Sequence, residues 1–276
     1  MTLRGLVAAC HPLPTAAVTA FTTVVAAAAG RGVTGTVLVG AAVLTGQLSI
    51  GWCNDAVDAG RDRAVERSGK PIVAGLVGRR TVAVAAGVAV AACVPLSLAS
   101  GLLAGGVHVL GVLAAWGYDL GVKRTAWSWL PYAVGFGSLP AFVTLGLPGR
   151  PWPAPWAVAA AALLGVGAHL ANVLPDLDDD RRTGVRGLPH RLGAGRTRAL
   201  LALPLVGASV LVLLGPPGTP GTVEWTVLAA CVLLSTGSAV LPALGRRWRR
   251  YAFLGAVAVA AADVVLFVVH AAALPA

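Results

Sequence analysis

Nine apolar blocks follow one another along this chain, at residues 13–29, 33–52, 81–99, 102–118, 128–147, 156–174, 199–214, 223–244 and 251–270. Most run to about 17–22 residues, the length that carries a helix across roughly 30 Å of hydrocarbon. Gly/Pro-rich or charged dividers separate them, among them Gly30-Arg31-Gly32, Ser100-Gly101, Pro148-Gly149-Arg150-Pro151 and Gly215-Pro216-Pro217-Gly218. With 57% hydrophobic residues, 12% charged residues and a mean hydropathy of +0.80, the chain carries more apolar surface than a water-soluble core can hide. An open strand in lipid would leave backbone polar groups unpaired, so the blocks are read as helices. The expected fold is all-α: a polytopic membrane protein of about nine transmembrane helices, in a single domain over residues 1–276.

The first 30 residues, with Arg4 ahead of an apolar stretch, have the outline of a secretory signal. Eight further blocks follow, so the first is read as a membrane helix. Alternating the connections then sorts the basic residues. One side receives Arg4, six residues between the second and third blocks, Lys123 and Arg124, six between the sixth and seventh blocks, and four between the last two; the other receives Arg31 and Arg150. Positive charge is enriched in cytoplasmic connections, which places the N-terminus inside the cytoplasmic membrane and the C-terminus outside. Retention at that face and attraction to anionic lipid account for the net charge of +10 without a nucleic-acid partner. Cys10, Cys53, Cys93 and Cys231 are dispersed singly and form no C-x-x-C pair, so they are read as small buried hydrophobes.

Acidic residues gather on the same face, although membrane retention does not require it. Only Glu224 and Asp263 of the eleven fall elsewhere. The second block ends in Asn54-Asp55-Ala56-Val57-Asp58-Ala59-Gly60-Arg61-Asp62. On a helix Asn54, Asp58 and Asp62 recur every four residues and Asp55 lies three before Asp58, so all four share one face. Stacked like charges repel, and a hard divalent cation removes the repulsion. Mg²⁺ is typically held by one or two carboxylates together with water and substrate phosphates, so the spacing fits a metal that bridges to a diphosphate. A solvated acidic helix end is the plainer alternative.

The sixth block ends in Asn172-Val173-Leu174-Pro175-Asp176-Leu177-Asp178-Asp179-Asp180-Arg181, where Asn172, Asp176 and Asp180 repeat the interval of four. Pro175 is expected to kink or end the helix there, and Asp178 reads as simple surface charge. The following polar segment, residues 184–193, carries Arg186, His190 and Arg191 and has the makings of a lid over the site.

Together these residues resemble the UbiA superfamily of intramembrane prenyltransferases. The resemblance rests on Asn54-Asp55-x-x-Asp58-x-x-x-Asp62 followed by Lys70-Pro71, on Tyr118 with Lys123-Arg124, and on Asn172-x-x-x-Asp176-x-x-x-Asp180-Arg181 followed by Gly184 and Gly187-Leu188-Pro189. It implies a ring of helices around a central cavity, capped on the cytoplasmic side and open laterally for a lipid tail. It further implies one Mg²⁺ at Asn54, Asp55, Asp58 and Asp62 and another at Asn172, Asp176 and Asp180. Lys70, Lys123, Arg124 and Arg181 would bind the diphosphate, with Tyr118 nearby, and Asp58, Asp176, Lys123, Arg124 and Tyr118 would be the catalytic set. Lys70 stands where relatives more often have Arg, supplying charge without a bidentate fork.

The implied reaction transfers an isoprenyl group from an isoprenyl diphosphate to an aromatic, quinone-precursor-like acceptor or to a lipid acceptor. Two other chemistries share such a site: cyclisation of the isoprenyl diphosphate on itself, and transfer of a phosphorylated sugar to polyprenyl phosphate. A cation-binding transporter is a rival of another class, but it predicts ionisable residues at mid-membrane, whereas these lie at one end. His169, one turn before Asn172, reads either as an acceptor-binding group or base or as a hydrogen-bonded bundle histidine. Trp127, Trp129 and Tyr132 are candidate cavity residues, the tryptophans better explained as an interfacial belt. Asp263 reads as a satisfied acid facing the bundle interior. Chain length, acceptor and oligomeric state are not written in the sequence.

Overall fold

A computed structural model describes residues 3–241 and 249–276. Arg246 and Arg247, two of the four basic residues between the last two blocks, fall outside the described residues, as does the end of the eighth block at residue 244.

The described chain is helical, with a single isolated bridge between Pro153 and Pro275 and no named strand. A short helix α1 (Leu3–Ala9) precedes α2 (Pro12–Ala28), α3 (Gly32–Ala64), α4 (Arg79–Leu98), α5 (Leu102–Leu120), α6 (Leu130–Thr144) and α7 (Pro155–Val173). Then come α8 (Leu177–Arg182), α9 (Leu188–Leu214), α10 (Thr222–Val240) and α11 (Arg249–Val269). Every apolar block falls on one of these helices. Six stretches are long and apolar enough to cross a bilayer: α3, α4, α5, the run from α7 through α8, α9 and α10. Pro12–Ala28, Leu130–Thr144 and Val257–Val269 are apolar but shorter. The 15 residues of α6 span about 22 Å at 1.5 Å per residue, less than the hydrocarbon thickness. The protein is thus a polytopic all-α membrane protein, with six rather than nine helices reaching full crossing length among the described residues.

Neighbours in sequence are neighbours in space. From α2 to α7 each helix packs on the next, α7 packs on α9, α9 on α10, α10 on α11, and α11 returns to α2, which closes a ring. At one end the centre is filled. Phe142, Leu145 and Phe267 are fully buried among Ala26, Ala42, Ala104, Ala157 and Ala160, whose small side chains let the backbones approach. His108 joins this core through a stacked contact with Phe142, 4.4 Å between centroids, and a 2.8 Å hydrogen bond between Nδ1 and Ser97 Oγ. Outward-facing side chains such as Val33, Leu102, Leu203 and Leu233 are apolar and exposed, as lipid requires.

Both acidic motifs lie at the other end. The 33 residues of α3 extend about 50 Å, so the helix overshoots the hydrocarbon and its last turns carry Asn54 to Asp62 beyond it. The expected break at Pro175 is present: α7 stops at Val173, Leu174–Asp176 form a 3-10 turn, and α8 resumes at Leu177. The expected polar connection at 184–193 is partly helical instead. Pro189 in the first turn of α9 is preorganised for a helix start, and Gly193 (φ 82, ψ 162) breaks that helix before its apolar run begins.

Candidate active site

The last two turns of α3 turn Asp58 and Asp62 inward, where both are buried. Lys123, in the 3-10 turn that follows α5, is 4% exposed, and its Nζ lies 2.6 Å from Asp58 Oδ1. Arg61 donates to the second Asp58 oxygen at 2.7 Å. Asn54 donates its amide N–H to Asp119 Oδ1 at 2.7 Å and sits 3.4 Å from Asp58 Oδ2, which ties the end of α5 to α3.

Two arginines carry this cluster across to the second motif. Arg67, just beyond α3, donates to Asp62 Oδ1 at 3.3 Å and to Asp180 Oδ1 at 3.0 Å, with Asp176 Oδ2 at 3.7 Å. Arg61 approaches Asp180 Oδ1 to 3.9 Å. Burial alone would lower the Arg67 pKa, but Asp176, Asp180 and Asp62 outweigh it and raise it above the usual value, so the bridge is a permanent charge. Two segments more than a hundred residues apart therefore meet over one basic seam.

The remaining site residues of the sequence reading divide. Asp55 is drawn aside: Lys70 Nζ lies 2.7 Å and His11 Nε2 3.0 Å from its Oδ1. Arg124 is exposed beside buried Lys123. Asn172 reaches the Tyr132 hydroxyl at 3.4 Å, and the 3-10 turn at Leu174–Asp176 interrupts the helix between it and Asp180. Arg181 hydrogen-bonds the His190 carbonyl. Asp178 is exposed, and Asp179 pairs with Arg182 at 3.5 Å.

An aromatic group lies next to the acids along the chain. Tyr118 packs edge-on to Tyr132 and His169 at centroid distances of 5.2 and 5.7 Å, and Tyr132 lies 5.0 Å from His169. His169 Nε2 is 3.1 Å from Ser128 Oγ, which also accepts the Leu188 N–H at 2.9 Å. One hydroxyl thus joins α7, the loop after α5 and the start of α9. Gly187 makes this junction possible, since a Cβ there would stand 2.6 Å from the Lys123 carbonyl oxygen.

Asp119, Arg61, Arg67 and His11 are the site residues that sequence reasoning passed over. Asp119 precedes Lys123 by one helical turn and was legible on that spacing. The two arginines were absorbed into the count of topology-setting charges. His11 carries no local signal: it reaches Asp55 only because it adopts a left-handed conformation (φ 57) between α1 and α2.

The donors here are carboxylate and amide oxygens, hard ligands suited to Mg²⁺. Among the described residues no three His, Cys, Asp or Glu side chains are already gathered as a chelate, because the fixed cations occupy the carboxylates. Six acids (Asp55, Asp58, Asp62, Asp119, Asp176 and Asp180) face four cations (Arg61, Arg67, Lys70 and Lys123). A diphosphate added to that excess of negative charge would be repelled, whereas two divalent cations would offset it. The donor set and the charge balance both fit the metal.

Comparison with known proteins agrees with this architecture. Residues 16–257 match the model of the UbiA prenyltransferase family, and the chain belongs to that family. It is 34% identical over 180 residues to the bacteriochlorophyll synthase 33 kDa chain of Cereibacter sphaeroides, a match covering 60% of this chain and 56% of that relative's length. Its fold is similar to that of a UbiA homolog from Aeropyrum pernix K1 (TM-score 0.72, 21% identity, 91% of this chain and 95% of the other). It is likewise similar to a UbiA homolog from Archaeoglobus fulgidus bound to GPP and Mg²⁺ (TM-score 0.66, 14% identity, 95% and 98%).

Proposed function

We propose that the protein is a Mg²⁺-dependent intramembrane prenyltransferase that moves an isoprenyl group from an isoprenyl diphosphate to an aromatic acceptor. One observation carries this reading: Arg61 and Arg67 join buried Asp58 and Asp62 to Asp180 and to the more exposed Asp176 in a single seam. Family membership supports the reaction class, and the Archaeoglobus homolog bound to GPP and Mg²⁺ supports the donor and the metal.

Asp58, Asp62, Asp176, Asp180 and Asn54 would hold the metal ions. Bound Mg²⁺ would supply positive charge to the diphosphate oxygens as the allylic carbon–oxygen bond breaks. Lys123, desolvated and fixed by Asp58, adds a charge that needs no reorganisation when the leaving group becomes anionic. Arg61 and Arg67 are already held at the same seam, and Lys70 pairs with Asp55 beside it. The bonding pair leaves with the diphosphate, the acceptor carbon bonds to the allylic carbon, and the acceptor loses a proton. Apolar helices around the site keep water from the allylic cation. The rings of Tyr118, Tyr132 and His169 offer a surface for a flat acceptor, and the bacteriochlorophyll synthase relative supports prenyl transfer. The distribution of Lys and Arg supports a cytoplasmic membrane location with both motifs inside.

Mass spectrometry of products tests the reading. Membranes are incubated with geranyl, farnesyl and geranylgeranyl diphosphates, with and without aromatic acceptors. A Mg²⁺-dependent adduct of acceptor and isoprenyl chain is expected; a cyclised hydrocarbon formed equally well without acceptor would replace transfer by cyclisation.

A further inference from the structure

Asp180 faces two ways. Its Oδ1 meets Arg67, while its Oδ2 lies 3.4 Å from His190 Nε2. Beyond His190 is a solvent-open pocket of about 520 Å³ lined by exposed Arg181, Arg186 and Arg191 and by buried His190, with no carboxylate in its wall. His190 is 5% exposed, and its Nδ1 has no hydrogen-bond partner.

The pocket is built rather than incidental. Gly184 (φ 81) and Gly193 (φ 82) turn the backbone at its two ends. Val185 N–H caps the Asp180 carbonyl at 2.9 Å, Arg181 donates to the His190 carbonyl, and Arg191 Nε donates to the Arg186 carbonyl at 2.9 Å. The Arg181 and Arg191 guanidinium groups are each held by a backbone carbonyl, which leaves their remaining N–H groups for a ligand.

Three guanidinium groups around one cavity repel each other until an anion joins them. A monocarboxylate would offset one of the three charges; a phosphoryl anion with several charges matches all three and accepts their paired N–H donors. We propose that this pocket is a second anion site, beside the metal centre and joined to it by the His190–Asp180 contact, that takes a multiply charged phosphoryl group. Its source is either the pyrophosphate leaving the reaction, an identity that rests on the prenyl-transfer reading, or the phosphomonoester headgroup of a membrane lipid.

The test uses the purified protein in detergent with EDTA, so that metal-dependent binding at the acidic motifs is absent, at about 0.15 M salt to suppress diffuse attraction. Isothermal titration with inorganic pyrophosphate should show binding to the wild type, weaker by about tenfold or more in R186Q/R191Q, the equivalent of one charge-assisted contact. R186K/R191K should fall between, and K123Q, which removes a cation of the metal centre, should bind like the wild type. Equal affinity in R186Q/R191Q and wild type, or loss of binding in K123Q alone, overturns the proposal. Native mass spectrometry from nanodiscs containing phosphatidic acid, whose headgroup is a phosphomonoester, separates the sources. Retained lipid that pyrophosphate displaces, and that R186Q/R191Q lacks, identifies a lipid site; bare wild-type protein that binds pyrophosphate identifies a product site. Lack of effect of R186Q/R191Q on both ligands overturns both. Protein that binds pyrophosphate without metal yet transfers no prenyl group would sink the catalytic reading and leave this one standing.

Discussion

Arg67 and Asp180 lie 113 residues apart and meet at 3.0 Å, with Asp62 held by the same guanidinium at 3.3 Å. This side chain substitutes for a metal in keeping the two acidic motifs together. Arg67→Gln should therefore lower the melting temperature of metal-free protein, by the loss of a partly buried pair worth about 1–3 kcal/mol. Millimolar Mg²⁺ should narrow the difference. Thermal unfolding with EDTA and with Mg²⁺ measures both; an equal deficit under the two conditions would show that Arg67 acts only as a structural residue.

Chelation should abolish turnover reversibly. EDTA is expected to remove product formation and added Mg²⁺ to restore it, because the carboxylate excess of the seam repels an unaccompanied diphosphate. Turnover that persists after exhaustive chelation would exclude the metal-dependent chemistry.

Gly187→Ala should damage both stability and activity. The new methyl would press on the Lys123 carbonyl and, at 2.8 Å, on Ser128 Oγ, and backbone cannot yield cheaply. Ser128→Ala makes the milder change, leaving the Leu188 N–H and His169 Nε2 without their partner at about 1–3 kcal/mol. Thermal unfolding should rank wild type above Ser128→Ala above Gly187→Ala. The reverse order would mean that the start of α9 is not clamped on this loop.

Substitution at His169 separates acceptor from donor. His169→Phe keeps the ring contact with Tyr118 and Tyr132 but loses the nitrogen positions, so KM for an aromatic acceptor should rise about tenfold while KM for the isoprenyl diphosphate stays within a factor of two to three. A matched rise in both would place His169 in the general packing of the bundle.

Hydropathy placed the helices because block length and lipid thickness are physically linked, and the interval of four placed Asn54, Asp58 and Asp62 on one face because a single unbroken helix carries them. For Asn172 the interval is interrupted, because its helix ends at Val173 before Asp176 is reached. Helical periodicity does not survive a proline-induced 3-10 turn. His11 and Arg67 were not legible because each meets its acid through tertiary packing, and His11 also needs a left-handed backbone. Asp263 stands apart: it is fully buried in the bundle interior, as expected from sequence, with Ser209 as its polar neighbour.

Pyrophosphate release by purified protein in lipid, with Mg²⁺, an isoprenyl diphosphate and an acceptor, tests whether the two motifs form one centre. Wild-type protein and Asp178→Asn should release it at similar rates. Asp58→Asn and Asp180→Asn should each fall by about 10²–10³-fold with membrane insertion intact. Wild-type rates in both of the last two variants would contradict the shared metal–diphosphate site.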